Sequence, residues 1–171
     1  LFQLSRLEAN QLDLDLAPFD AGAAVRSAVE SLVEPARREA GLTVMANVEP
    51  GDLTCWGDRL RIEQVLLNLI RNAIHFTEEG GIILVSAEAK TRERVRLTVR
   101  DTGVGIEPEH LPRLFDRFYR AEQSRARTSG GAGLGLAIAK EMVTAMGGTI
   151  TVESVPAEGT AFTIELNAAS R

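Results

Sequence analysis

The sequence predicts an α/β two-layer sandwich, a mixed β-sheet faced by three α-helices. Three stretches, 21–40, 58–77 and 134–146, carry apolar residues at spacings of three and four between helix start and stop signals. Runs rich in β-branched and alternating residues separate them, and two more such runs close the chain. With 171 residues, 44% of them hydrophobic, one domain with a substantial core is the expectation.

The elements follow in order. Leu1, Leu4 and Leu7, set among Arg6, Glu8 and Gln11, read as the end of a helix whose apolar seam needs a partner helix. The chain thus opens in mid-pattern, as a piece of something longer would, which leaves room for a membrane segment upstream. Leu12, Leu14 and Leu16 alternate with Asp13 and Asp15, a strand pattern ending before Pro18. Asp20 is placed to cap a helix from Ala21 to about Ala40 that stops at Gly41, with Val25, Val29, Leu32, Val33 and Ala36 as its buried stripe. A strand over Leu42 to Val48, a turn at Pro50 and Gly51 and a short strand over Leu53 to Trp56 lead to Asp58, the cap of the central helix. Trp56 is expected to pack rather than to stack a ligand.

The central helix, 58–77, is the most informative stretch. Ile62, Val65, Leu66, Leu67, Leu69, Ile70, Ala73 and Ile74 cover roughly 200° of its circumference, so it should be buried on most sides. The rest of the surface carries Arg61, Gln64, Asn68, Asn72 and His75 in one stripe. A solvated face would be rich in Lys and Glu. Two Asn one turn apart cost helix stability, so the stripe is either a polar seam against neighbouring loops or faces a ligand.

Beyond a turn at 78–81, Ile82 to Ala89 and Arg94 to Arg100 read as a hairpin with one solvated, charged face. Pro108 and Pro112 break the next region into short turns, and Leu114 to Tyr119 gathers three of the eight aromatic residues. Residues 120–132 (RAEQSRARTSGGA) lack apolar anchors and are expected to form a mobile loop. A helix from Leu134 to Met146 and strands over Thr149 to Ser154 and Thr160 to Leu166 complete the fold. No repeat is visible.

Bulk properties exclude several classes. The 24 acidic and 19 basic residues give a net charge of −5, which argues against nucleic acid or anionic membranes as partners. The single Cys55 cannot form an internal disulfide, so a cytoplasmic setting is the simplest assignment. No apolar run approaches the ~20 residues of a membrane span.

Two further stretches carry chemistry. Asp101-Thr-Gly-Val-Gly-Ile106 puts a carboxylate at a strand end and glycines, Gly103 and Gly105, where a flat ligand could come close. An ionised carboxylate only accepts hydrogen bonds, which suits the exocyclic amine of adenine; an ordinary Asp-Gly turn is the alternative. The run from Gly130 to Leu136 leads into a helix, and exposed N–H groups at a helix start suit phosphate. It fits neither the P-loop nor the Rossmann spacing, and no HRD or DFG set is present.

In this order the Asn stripe, the Asp-Gly-Gly turn and the Gly-rich helix start resemble the ATP-binding domain of sensor histidine kinases. These belong to the GHKL superfamily, with gyrase B subunits, MutL and heat-shock chaperones. QVLLNLIRNAIHFT is similar to the N box, DTGVGI to the first glycine box, FDRFYR to the F box and GGAGLGLAI to the second glycine box, with GGTITVES and GTAFTIEL as closing strands. LSRLEANQLDLDL resembles the exit of the dimerisation helix. The resemblance therefore implies residues 1–17 as the end of that helix with a linker strand, and 18–171 as the kinase domain, of Bergerat type with a mostly antiparallel sheet.

The resemblance implies Mg·ATP between the central helix, the Asp101 turn and residues 120–132. It assigns Asp101 to the adenine amine, Asn72 to Mg²⁺ and Gly131, Gly133 and Gly135 to the phosphates. Gly103, Gly105, Ile106, Tyr119, Leu134 and Leu136 would line the nucleotide. Asn68 stands where hydrolytic members carry a Glu; an amide takes no proton, so transfer is favoured over hydrolysis. Arg120 matches a position that meets the terminal phosphate, or is a surface arginine at a loop edge. His75 replaces the usual Lys and Phe76 a frequent Tyr; Phe76 keeps an aromatic surface for the nucleotide. An imidazole at 75 either makes a pH-dependent charge contact or simply ends the helix.

The implied reaction is γ-phosphoryl transfer to a histidine on a dimerisation domain. His75 and His110, the only histidines, lie outside any acceptor motif. The partners implied are that domain and, through it, a response-regulator receiver, with a homodimeric whole protein and a monomeric fragment. The Phe115, Phe118 and Tyr119 cluster is the expected docking surface for the acceptor. A nucleotide-gated ATPase and an ATP-binding regulatory module are the alternatives.

Overall fold

The computed structural model describes residues 13–121 and 133–169. The chain runs β1 (Ala17–Asp20), α1 (Ala21–Ala40), β2 (Thr43–Val48), β3 (Thr54–Gly57), α2 (Arg59–Phe76), β4 (Ile82–Ala89), β5 (Arg94–Asp101), a 3-10 turn (Leu111–Arg113), α3 (Gly135–Ala145), β6 (Thr149–Val155) and β7 (Gly159–Asn167). Five strands form one sheet in the order β2-β4-β5-β7-β6. Only β2 and β4 run parallel; the other three pairings are antiparallel.

The helices begin and end where their caps dictate. Asp20 Oδ1 accepts from the N–H of Gly22 at 2.8 Å and of Ala23 at 3.2 Å, a cap worth about 1 kcal/mol. At the other end of α1, Gly41 adopts φ 63°, the left-handed value that lets its N–H and that of Leu42 turn back to the carbonyls of Arg37 and Ala36. Asp58 does two jobs. Its Oδ1 accepts from the Arg61 N–H at 3.1 Å and starts α2, while its Oδ2 accepts from the Asp15 N–H at 3.0 Å and anchors the incoming chain.

Alternation separates the two faces of the sheet. Ile83, Val85, Ala87, Val95, Leu97, Val99, Phe162, Ile164 and Leu166 point inward and are buried with Ile62, Val65, Leu66, Leu69 and Ile70 of α2. Burying each large side chain contributes roughly 1.5 to 3 kcal/mol. Leu67, Ile74 and Val33, expected inside, are only partly buried against this core. The outward face is polar, a shallow concavity of about 530 Å³ lined by residues such as Ser86, Thr98 and Thr163. There Lys90 Nζ donates to Glu165 at 2.6 Å and holds its carboxyl below the usual range. Arg96 bridges Glu165 and Glu88 at 3.3 and 3.1 Å. This is the solvated face expected of the hairpin.

Two sequence expectations shift. The first strand lies over Ala17–Asp20, not over Leu12 to Leu16, because its partner is β3, with Pro18 opposite Trp56. These two strands form a separate ribbon beside the main sheet. Trp56 remains 42% exposed, so it packs only in part. The helix expected around Leu1 to Leu7, and residues 122–132 of the loop expected over 120–132, including Gly131, lie outside the described residues. No described helix is long and apolar enough to cross a membrane.

Candidate functional site

Asp101 ends β5, the middle strand of the sheet, and pairs on one side with Ile83 and on the other with Thr160. Enclosure by both neighbours leaves it 7% exposed. Its Oδ1 accepts from the N–H of Gly103 at 2.8 Å and of Thr160 at 3.3 Å. Burial pushes the carboxyl above its ordinary range despite these two donors. No donor among the described residues reaches Oδ2, which leaves one oxygen free to accept from a ligand.

The turn after Asp101 is held from two directions. The Val104 N–H donates to the Phe76 carbonyl at 3.1 Å, and a Cβ on Gly103 would run into that same carbonyl oxygen. Ile106 N–H donates to Ser154 Oγ at 2.8 Å, whose hydroxyl in turn donates to the Gly159 carbonyl at 2.9 Å. Gly105 adopts φ 71°, with the Val155 carbonyl filling the space a side chain would need. The first glycine-containing turn is therefore docked between the end of α2 and the β6–β7 turn. Ser154, Gly159 and Thr160 were not singled out from the sequence as site residues.

The Asn stripe meets the start of α3 at its other end. A Cβ on Gly135 would lie 2.7 Å from Asn68 Oδ1, so glycine is what lets α3 begin against that amide. The N-cap residue Leu134 makes no side-chain cap hydrogen bond, so among the described residues no N-cap side chain takes up the first N–H groups of α3. Leu136 is half-buried against the core. Asn72 is half-buried and lies one turn beyond Asn68 on α2, while His75 and Phe76 are exposed at the helix end, their rings edge to face at 4.8 Å. From Asn68 to Phe76 the helix rises about 12 Å.

The aromatic segment joins the start of α3 from the opposite side. The Phe118 N–H donates to the Gly133 carbonyl at 3.0 Å, and Arg117 pairs with Glu141 of α3 at 2.8 Å. Gly133, at φ 71°, has the Phe118 backbone where a Cβ would be. Tyr119 is half-buried and Arg120 exposed. The expected docking cluster is corrected here. Phe115 turns inward, edge-on to Phe162 at 6.3 Å with Lys140 over its ring, whereas Phe118 is 63% exposed. Cys55 is buried and its thiol pushed up to about 12 by burial and by Asp20, which removes it as a nucleophile.

The chain has counterparts among known proteins. Residues 57–170 match the family described as histidine kinase-, DNA gyrase B-, and HSP90-like ATPase, and the chain belongs to it. Its relatives are sensor kinases. The sensor histidine kinase GacS of Pseudomonas protegens is 36% identical over 171 residues, which are 98% of this chain and 18% of GacS. The crystal structure of full-length ShkA in complex with AMPPNP superposes with a TM-score of 0.82 at 35% identity, over 97% of this chain and 34% of ShkA. The catalytic domain of the histidine kinase ThkA gives 0.76 at 29%, over 91% of this chain and 99% of that domain. The chain thus spans less than a fifth of the length of GacS.

Proposed function

We propose that this chain is the Mg·ATP-binding catalytic domain of a two-component sensor histidine kinase, which transfers the γ-phosphoryl group to a histidine on a separate dimerisation domain. The observation that carries this is the amide of Asn68 against the start of α3. A phosphate at that helix terminus would be held by N–H groups and the positive end of the dipole, with Asn68 beside it. An amide cannot take a proton from water, so the site is suited to hold ATP for transfer and poorly suited to hydrolyse it. This favours the kinase over a nucleotide-gated ATPase.

The adenine would sit at the other end, its amine donating to the free oxygen of Asp101, with Phe76, Gly103, Gly105 and Ile106 around it. Gly131, Gly133, Leu134, Gly135, Leu136 and Tyr119 would line the phosphate side, with His75 at the border and Arg120 on the terminal phosphate. No group of three His, Cys, Asp or Glu among the described residues could hold a metal. Asn72, half-buried one turn beyond Asn68, would supply one amide oxygen to an ion carried in by the triphosphate. When bound, Mg²⁺ would neutralise charge on the β- and γ-phosphates.

Residues 1–17 would then be the tail of the dimerisation helix with its linker, and 18–171 the kinase domain. The acceptor domain would dock at Phe118, and a response-regulator receiver would take the phosphoryl group from it. The whole protein would be a homodimer with this domain in the cytoplasm.

Calorimetry with and without Mg²⁺ tests the site. Asn72→Ala should leave adenosine binding intact and abolish the enhancement of ATP binding by Mg²⁺. Full enhancement in the variant would move the metal ligand elsewhere, and absence of ATP binding by the unaltered chain would overturn the functional reading.

A further inference from the structure

We propose that His110 is a positioning residue for Arg120, acting through the Tyr119 ring. His110 precedes the 3-10 turn and Arg113 ends it. Tyr119 Oη lies 2.5 Å from His110 Nδ1, and the Arg113 guanidinium carbon stands 4.4 Å from the centre of the Tyr119 ring. One short turn therefore grips the ring by its edge and its face.

The imidazole Nδ1 and the phenol can each donate or accept, so the contact holds the ring edge in either tautomer. The Arg113 charge over the π-face adds a cation–π attraction.

Arg120 needs this support because it has little of its own. It is exposed, and no carboxylate among the described residues pairs with its guanidinium. The residues before it are tied down: Tyr119 N–H donates to the Asp116 carbonyl at 3.3 Å, Phe118 is bound to Gly133, and Arg117 to Glu141. The clamp on Tyr119 is the last fixed point before Arg120. Release of the ring would let the guanidinium wander from any group it is meant to meet. The inference rests on the reading of Arg120 as the residue that meets the terminal phosphate.

The test is the ratio of ATP to ADP affinity of this chain, measured by calorimetry with Mg²⁺, because only ATP offers the terminal phosphate. Arg120→Ala should collapse the ratio by about tenfold or more. His110→Leu should lower it roughly threefold to tenfold while leaving ADP affinity unchanged. His110→Asn, which keeps an acceptor near the place of Nδ1, should restore most of the ratio. In the Arg120→Ala background, His110→Leu should change the ratio no further, since both act through one group. Tyr119 is the single tyrosine, so isotopically labelled tyrosine gives one ring signal, which His110→Leu should shift without nucleotide present. An unchanged ratio in His110→Leu, an equal loss of ADP affinity, a further loss added on top of Arg120→Ala, or an unmoved tyrosine signal would each overturn the positioning role. An unchanged ratio in Arg120→Ala would withdraw Arg120 from the site and the inference with it. A chain that binds neither nucleotide refutes the functional reading instead, and the inference falls with that reading.

Discussion

Asp101→Asn should weaken ATP binding about 10- to 150-fold and, at the same time, raise the melting temperature of the nucleotide-free domain. The affinity loss follows from where the new amide must point. The N–H groups of Gly103 and Thr160 both aim at Oδ1, so they hold the asparagine oxygen there and turn its NH₂ toward the ligand. Donor would then face donor at the adenine amine, and a hydrogen bond to a charged group is worth about 1.5 to 3 kcal/mol. The stability gain follows from burial, which raises the carboxyl above its ordinary range in the folded state. A group shifted upward contributes its stability below the unfolded-state value, ~3.9, and loses it as pH rises through the folded-state value. At neutral pH the ionised Asp101 therefore works against folding, and the neutral amide does not. Thermal melts at several pH values should show the advantage of the variant at pH 7 and its disappearance as pH falls toward that of an ordinary carboxylate. Equal affinity in calorimetry would remove Asp101 from the adenine site.

Gly103→Ala should cost about 1 to 3 kcal/mol of stability and abolish most ATP binding. The added Cβ would meet the Phe76 carbonyl oxygen, which is fixed at the end of a helix, and would lie 2.8 Å from Asp101 Oδ1. Relief requires lifting the turn off α2, which breaks the Val104 to Phe76 hydrogen bond and the Gly103 donation to Asp101 together. Gly80→Ala makes the contrast. Nothing lies within 4 Å of its Cβ position, so it should bear only the strain of φ 86° and leave ATP affinity alone. Chemical denaturation and calorimetry on the two variants measure both effects.

What could be read in the sequence was what local chemistry decides. Asp20, Gly41 and Asp58 cap their helices through bonds to residues no more than five positions away, and such signals survive in a linear pattern. The hairpin of β4 and β5 and the burial of α2 were legible for the same reason. The alternation over Leu12 to Leu16 misled because a strand exists only where a partner offers its ladder, and β3 pairs with Ala17–Asp20 instead. The partners that hold the Asp101 turn were invisible: Thr160, which donates to Asp101, lies 59 positions from it, and Ser154, which accepts from Ile106, lies 48 from it. Nothing in a single sequence sets that register. The inward turn of Phe115 was likewise hidden, since it depends on Phe162 across the fold.

The central claim is that this chain holds ATP for transfer to a histidine it does not itself carry. His75 lies in the last turn of α2 and His110 is engaged with Tyr119, and neither stands in an acceptor motif. The direct measurement gives the chain labelled Mg·ATP, with and without a separately supplied dimerisation helix pair bearing the acceptor. Acid treatment follows, because phosphohistidine is acid-labile. The account predicts no label on the chain alone and slow, acid-labile labelling of the helix pair, slow because cutting the tether removes effective concentration. Stoichiometric acid-labile label on the chain alone, or none on the helix pair at any concentration, would contradict it.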